Sequence, residues 1–306
     1  MATLYTQRSA NIHKTLLLMT MFLILVMGIG FVFSQVYQSP AILYFAVIFS
    51  VVMNIVGYWF SDRIVLRMHH ARPVDERENR ELHRVLENLA ITAGLPMPRF
   101  YIIDDPAPNA FATGRNAEHA VVCVTTGLLG MLDRSELEGV LAHELSHIGN
   151  RDMLVSTVAV VLVGFVSIAS DIFMRSLWFR GVGGGDREDR GNAGAIFMII
   201  GVALSILAPI FATMIHLAIS RKREFLADAS GALLTRYPDG LASALEKIGG
   251  YTQPLRTATN ATAHLFLQNP FGADRENAGR TPLLVRLFST HPPISERIRA
   301  LRGEKT

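Results

Sequence analysis

Two apolar runs near the start of the chain constrain its fold more than any other feature. Thr15–Phe33 and Ala41–Phe60 are almost uninterrupted by charge. A hydrocarbon core about 30 Å thick is crossed by ~20 apolar residues in a helix, so each run is long enough to span. The short turn at Ser34–Pro40 joins them into a hairpin. A cleaved signal peptide would have a shorter apolar stretch followed by small residues at a cleavage site, and neither is present. Half of the 306 residues are hydrophobic and 18% are charged. With a mean hydropathy of +0.30, the chain is too apolar for an ordinary soluble enzyme and reads as a membrane protein with a soluble part.

Charge sets the expected orientation. The loop 34–40 has no Lys or Arg, whereas 61–80 carries Arg63, Arg67, Arg72, Arg77 and Arg80. The positive-inside rule then places the N-terminus and everything after residue 60 in the cytoplasm. The net charge of +3 comes from arginine clusters beside apolar runs, which suit anionic lipid headgroups rather than nucleic acid. Cys123 is the single cysteine, so neither an intrachain disulfide nor a cysteine-rich zinc site can form. The sequence shows no repeat, no phosphate-binding glycine loop and no recognition helix.

Past the hairpin, 75–93 has helical periodicity, with Asp75 as the expected cap and Leu82, Val85, Leu86, Leu89 and Ala93 on one face. Gly94 stops it. Arg99–Asp105 and His119–Thr125 read as strands, separated by a Pro106–Pro108 turn and the stretch Asn109–Gly114. Short strands with little helix between them predict a small, mainly antiparallel sheet in an α+β domain. Ser135 and Glu138 match a capping box for a helix that buries Leu137, Val140, Leu141, Leu145 and Ile148.

On an adjoining stripe of that helix stands His143-Glu144-Leu145-Ser146-His147. Histidines four apart project from one face, one turn above the other, so both imidazoles can reach a single metal ion. Zn2+ suits imidazole, and its catalytic sites use three protein ligands plus a water. Glu144 lies close enough to act as that water's base. The bland alternative is an amphipathic helix with two solvated histidines. Two further apolar runs follow, Met153–Met174 and Ala193–Ile219, around a Gly-rich loop 175–192 with four arginines. Two readings stand: a second pair of spans, or a buried or membrane-embedded hairpin, because the arginine-bearing loop strains the positive-inside rule. Either way residue 220 returns to the side of His147. Glu224 is then the best third ligand, and Asp228, one turn on, can hold the far nitrogen of a ligating histidine. The competing reading makes both carboxylates ordinary partners of the Arg221–Arg223 cluster. The remainder is mostly helical, and Ser289–Pro293 leads into a last amphipathic helix, 294–302. By itself His291 reads as a surface histidine.

Five elements together resemble one family. Pro96-Met97-Pro98, Pro108–Gly114, His143–His147, Arg223-Glu224-Phe225-x-Ala227-Asp228 and Ser289-Thr290-His291-Pro292-Pro293 stand in order over essentially the whole chain. They are similar to those of the HtpX heat-shock endopeptidases, bacterial relatives of the CAAX prenyl endopeptidases. The resemblance implies a zincin-like metalloprotease domain plus transmembrane helices, in a multi-pass protein of the bacterial inner membrane with its catalytic domain in the cytoplasm. It implies one Zn2+ held by His143, His147 and Glu224, Glu144 as general base, and His291 near the scissile carbonyl. It also implies that Asn109, Ala110, Phe111 and Ala112 form the substrate-binding strand, to which an extended peptide adds by backbone pairing. Substrates would be misfolded or damaged membrane proteins, with functional overlap with other membrane proteases. The expected division is 1–62 as membrane hairpin, 63–152 as the first part of the metalloprotease domain, 153–219 as a second apolar hairpin, and 220–306 as the second part. An intramembrane protease would place the motif inside an apolar span, yet Asp133, Arg134, Glu136 and Glu138 precede it. A non-catalytic scaffold or holdase would need neither both histidines nor both glutamates.

Overall fold

The computed structural model describes residues 4–36, 38–77, 79–162, 164, 221–259, 262–272 and 292–304. Most of the expected second hairpin 153–219, and His291 with its neighbours Ser289 and Thr290, lie outside the described residues.

The first two helices, α1 (Leu4–Val36) and α2 (Pro40–Trp59), form the expected hairpin. Ser9–Gln35 and Pro40–Trp59 are each long and apolar enough to cross a membrane. The helices meet closely because a Cβ on Gly30 would overlap the Ala46 methyl, the small-residue contact by which helices pack where lipid offers no hydrophobic drive. Asn54 adds a polar tie, donating from Nδ2 to the Met19 carbonyl at 3.2 Å. With 33 residues, α1 is about 50 Å long, well beyond a hydrocarbon thickness. Its early turns reach the soluble part of the molecule. The short helix α3 (Ser61–Met68) follows, turning Val65 and Leu66 inward. Its Asp62 holds Arg99 at 2.6 Å.

The sheet has four strands, β1 (Arg72–Pro73), β2 (Arg99–Ile103), β3 (Ala110–Thr113) and β4 (Val121–Thr125), in the order β1-β2-β4-β3. Two of its three pairings are antiparallel, β1 with β2 and β3 with β4, while β2 and β4 run parallel, Arg99 opposite Val121. The chain leaves β2, lays β3 on the far side, and returns through the middle. β3 is thereby an edge strand and β4 is buried throughout. One face of the sheet packs on α4 (Arg80–Ala93) and α6 (Arg134–Asn150) around Val85, Leu89, Val122, Leu141 and Leu145. The other face buries Phe111, Cys123, Val65, Val160 and Phe266.

Two helix starts differ from the sequence reading. α4 begins at Arg80 rather than near Asp75, whose carboxylate accepts instead from the Arg77 amide, closing a local turn. After the short α5 (Thr126–Met131), α6 is capped by Asp133 and Glu136, not by Ser135 and Glu138. Asp133 accepts from the Glu136 amide at 3.0 Å, and Glu136 accepts from the Asp133 amide at 2.9 Å. The earlier register wins because it also buries Glu136 against Lys247, 2.6 Å away. Ser135 donates to Asp133, while Glu138 faces Arg134.

Helix α7 (Asp152–Leu162) follows α6 directly, and α8 (Arg221–Thr235), α9 (Pro238–Gly249) and α10 (Ile294–Leu301) complete the described fold. α8 lies tightly along α6. A Cβ on Gly231 would stand 3.0 Å from the His143 nitrogen, so glycine there lets α8 approach at the level of the histidines.

Candidate metal centre

α6 carries His143 and His147 one turn apart and turns both Nε2 atoms to the same point, 3.1 Å from each other. Each ring is held from behind by a carboxylate. Asp228 Oδ1 lies 2.9 Å from His143 Nδ1, and Asp152 Oδ2 lies 3.3 Å from His147 Nδ1. Protons on both Nδ1 atoms leave both Nε2 lone pairs facing inward, the tautomer a metal requires. α8 delivers the third donor. Glu224 Oε2 is 3.8 Å from His143 Nε2, and its Oε1 is 3.7 Å from His147 Nε2. Donors about 2.1 Å from a tetrahedral Zn2+ lie ~3.4 Å from one another, so these separations frame such an ion. Two imidazoles and one carboxylate are also the right donor chemistry for it.

Electrostatics agree with that fit. His147 is pushed up to about 9: burial works against its charge, but Asp152, Glu224 and Glu144 outweigh it. The carboxylates that favour positive charge on His147 would equally favour a cation at this point, which would take the place of the proton on Nε2. His143 moves the other way, because burial dominates over the pull of Asp228. Glu144 is buried and raised to about 7, first by desolvation and then by Glu224, with His147, Arg297 and the Ala112 backbone pulling it down. A carboxylate with that value can accept a proton near neutrality and give it back.

Behind Asp228 stands Arg297, which is fully buried. Its Nε and Nη2 clasp the two Asp228 oxygens at 2.8 and 2.7 Å, and its Nη1 donates to the Leu267 carbonyl at 3.0 Å. Burial raises the Asp228 carboxyl, but Arg297 and His143 outweigh it and hold it at about 2.

An open cleft lies over these groups, lined by Ala112 of β3 and by Phe266 and Leu267. The expected strand Asn109–Ala112 is thus present at the site, but its residues divide. Ala112 faces Glu144. Phe111 packs edge-on against Phe266, beside His69. Asn109 is buried, donating to the Gln268 carbonyl and accepting from the Gln268 amide. The Ala110 carbonyl accepts from the Leu267 amide at 2.8 Å. The chain's own 265–268 stretch therefore covers that end of the β3 edge.

His143, Glu144, His147, Glu224 and Asp228 all come together as read from the sequence; His291 lies outside the described residues. Asp152 and Arg297 were missed. A signal for Arg297 exists: it falls on the stripe of Ile294, Ile298 and Leu301, where a solvated arginine does not belong. Asp152 has none, because its position depends on how α7 leaves α6.

The model of Peptidase family M48 matches residues 76–305, which include His143, Glu144, His147, Asp152, Glu224, Asp228 and Arg297. A "Protease HtpX homolog" of Caldanaerobacter subterraneus subsp. tengcongensis is 46% identical over 98% of this chain and 98% of its own. Another of the same description, from Pyrococcus furiosus, is 48% identical over 94% of each chain. Among solved structures, the crystal structure of S. mikatae Ste24p aligns with a TM-score of 0.51 at 19% identity, which speaks for the fold alone. The alignment covers 93% of this chain and 65% of that one. A family match over residues 76–305, near full-length relatives and a His-His-Glu cluster beside a buried glutamate lead to one conclusion: the chain belongs to the M48 metalloproteases.

Proposed function

We propose that the chain is a Zn2+-dependent endopeptidase of the bacterial inner membrane that cleaves misfolded or damaged membrane proteins at the cytoplasmic face. The convergence of His143 Nε2, His147 Nε2 and the Glu224 carboxylate beside the buried Glu144 carries this reading. Those three donors would hold Zn2+, which would supply Lewis acidity to acidify the attacking water and polarise a carbonyl. Glu144 takes a proton from the attacking water and delivers it to the leaving amine. An extended substrate pairs with the β3 edge at Ala112, past the end covered by 265–268. The resemblance of Ser289–Pro293 to the family motif supports His291 as the group that stabilises the developing oxyanion. The two candidate spans and the arginines after α2 support a membrane anchor with the site on the cytoplasmic side. Activity in this setting overlaps with that of other membrane proteases.

Metal analysis of freshly purified protein and chelator-sensitive cleavage of casein test the reading. Glu144→Gln should keep its zinc and lose cleavage by about 10²- to 10⁴-fold, the usual share of a general base. Retained turnover in zinc-loaded Glu144→Gln would overturn the mechanism. Protein lacking zinc but still binding unfolded peptide would favour a scaffold.

A further inference from the structure

The polar shell behind His147 extends into the membrane hairpin. Asp152 divides its two oxygens: Oδ2 faces His147 Nδ1, while Oδ1 accepts from Asn11 Nδ2 and lies 3.6 Å from Arg223 Nε. Asn11 belongs to α1, four residues before the first apolar run, and is 1% exposed. The same amide nitrogen donates to the Asn150 carbonyl at 3.1 Å, at the last turn of α6. The Asn11 Oδ1 accepts from Arg223 Nη1 at 3.5 Å. One side chain thus touches the end of the helix bearing both histidines, the carboxylate behind His147, and the residue next to Glu224. An amide suits this place because Asp152 needs a donor and Arg223 needs an acceptor, and Asn offers both without adding charge. Burying it is costly unless both ends are satisfied, and here they are.

We propose that Asn11 is a positioning residue of the metal centre. It fixes Asp152, and through Asp152 the tautomer and ring orientation of His147, so the first membrane helix is a working part of the site as well as its anchor. The inference rests on His147 being a metal ligand, as proposed above. Without the Asn11 donor, Arg223 is the remaining ion-pair partner of Asp152 Oδ1 among the described residues, and the carboxylate turns from His147. The proton then distributes over both ring nitrogens, and a protonated Nε2 cannot ligate.

The test uses full-length protein in detergent or nanodiscs, stripped of metal and titrated with Zn2+ against a chromophoric chelator. The visible spectrum of the Co2+-substituted protein and the thermal midpoint of the metal-free form are read alongside. Asn11→Leu, similar in volume and unable to hydrogen-bond, should weaken zinc binding about tenfold, at the low end for partners of a metal-ligating histidine, and should alter the Co2+ spectrum. Asn11→Ser, too short to reach both partners, should lose less and covers the case in which the leucine variant does not fold. In an Asp152→Asn background, Asn11→Leu should change zinc affinity less than twofold, since its route is already cut. Zinc affinity and Co2+ spectrum equal to the parent's, whatever the thermal midpoint does, would reduce Asn11 to an anchor and overturn the inference. So would a full additional loss in the Asp152→Asn background. Failure of the parent protein itself to bind zinc would overturn the zinc reading instead.

Discussion

Replacing Arg297 by Met isolates the contribution of the buried Asp228–Arg297 pair. Asp228 is held at about 2 against an ordinary 3.8, although burial pushes it upward. That net shift favours the ionised carboxylate by roughly 2 kcal/mol, at 1.36 kcal/mol per unit. Met fills most of the arginine's volume but leaves a buried carboxylate with the His143 ring as its remaining partner among the described residues, and breaking a buried pair from one side costs about 3–5 kcal/mol. For a soluble part of this size, 2–4 °C per kcal/mol makes the expected fall in thermal midpoint roughly 10 °C. The pH dependence has a definite sign. In the parent, the depressed Asp228 contributes stability that is present above pH 3.8 and lost as pH falls toward 2. In Arg297→Met, burial dominates, the carboxyl rises above its ordinary value, and protonating it relieves the strain. The gap between parent and variant should therefore narrow on acidification. Adding Asp228→Asn should recover part of the loss at neutral pH without restoring the parent's zinc affinity. Arg297→Lys should fall between, since one ammonium cannot reproduce the two-pronged clasp. Differential scanning of the detergent-solubilised protein from pH 5 to 8 provides the measurement. A Met variant melting within about 2 °C of the parent, or a gap independent of pH, would refute the argument.

Two further predictions concern packing and pH. Gly231→Ala should gain up to ~1 kcal/mol from helix propensity yet lose about 1–3 kcal/mol by pressing a methyl to 3.0 Å from the His143 nitrogen. Net destabilisation with weaker zinc binding is expected, and a higher melting point at unchanged affinity would show that α8 has room to spare. His69 is lowered to about 4 by burial and then by His70; it lies between Phe111 and Phe266 with Thr257 as its hydrogen-bond partner. A group held neutral in the folded state binds protons more readily once unfolded. It therefore contributes stability that is intact above pH 6.5 and lost as pH falls toward 4, about 3 kcal/mol in all. His69→Phe should flatten the midpoint between pH 6.5 and 4.5, and an unchanged slope would refute this.

Local pattern made much of the molecule legible. Apolar length marked α1 and α2, helical periodicity marked α4 and α6, and a four-residue spacing placed two imidazoles on one face. Glu224 was readable because both readings of the apolar stretch before it bring the chain back to the side of His147. The capping register of α6 was misjudged because Asp133–Glu136 and Ser135–Glu138 satisfy the same rule, and the choice lies with Lys247 on another helix. β1 is two residues long and carries no periodicity. The parallel pairing of β2 with β4 depends on where the intervening chain is laid, which alternation along a strand does not encode.

The sequence alone thus determined that an apolar hairpin long enough to cross a membrane precedes a His-Glu-x-x-His helix and a later carboxylate. Short-range regularities of helices and the length of an apolar run are written residue by residue. Only the tertiary structure decided what stands behind the histidines. Arg297 clasps Asp228 from 69 residues away, and Asn11 reaches Asp152 across 141. Asn109 spends its side chain on Gln268 at a separation of 159. No local rule links such positions; close packing brings them together, and burial then requires that each polar group find its partner.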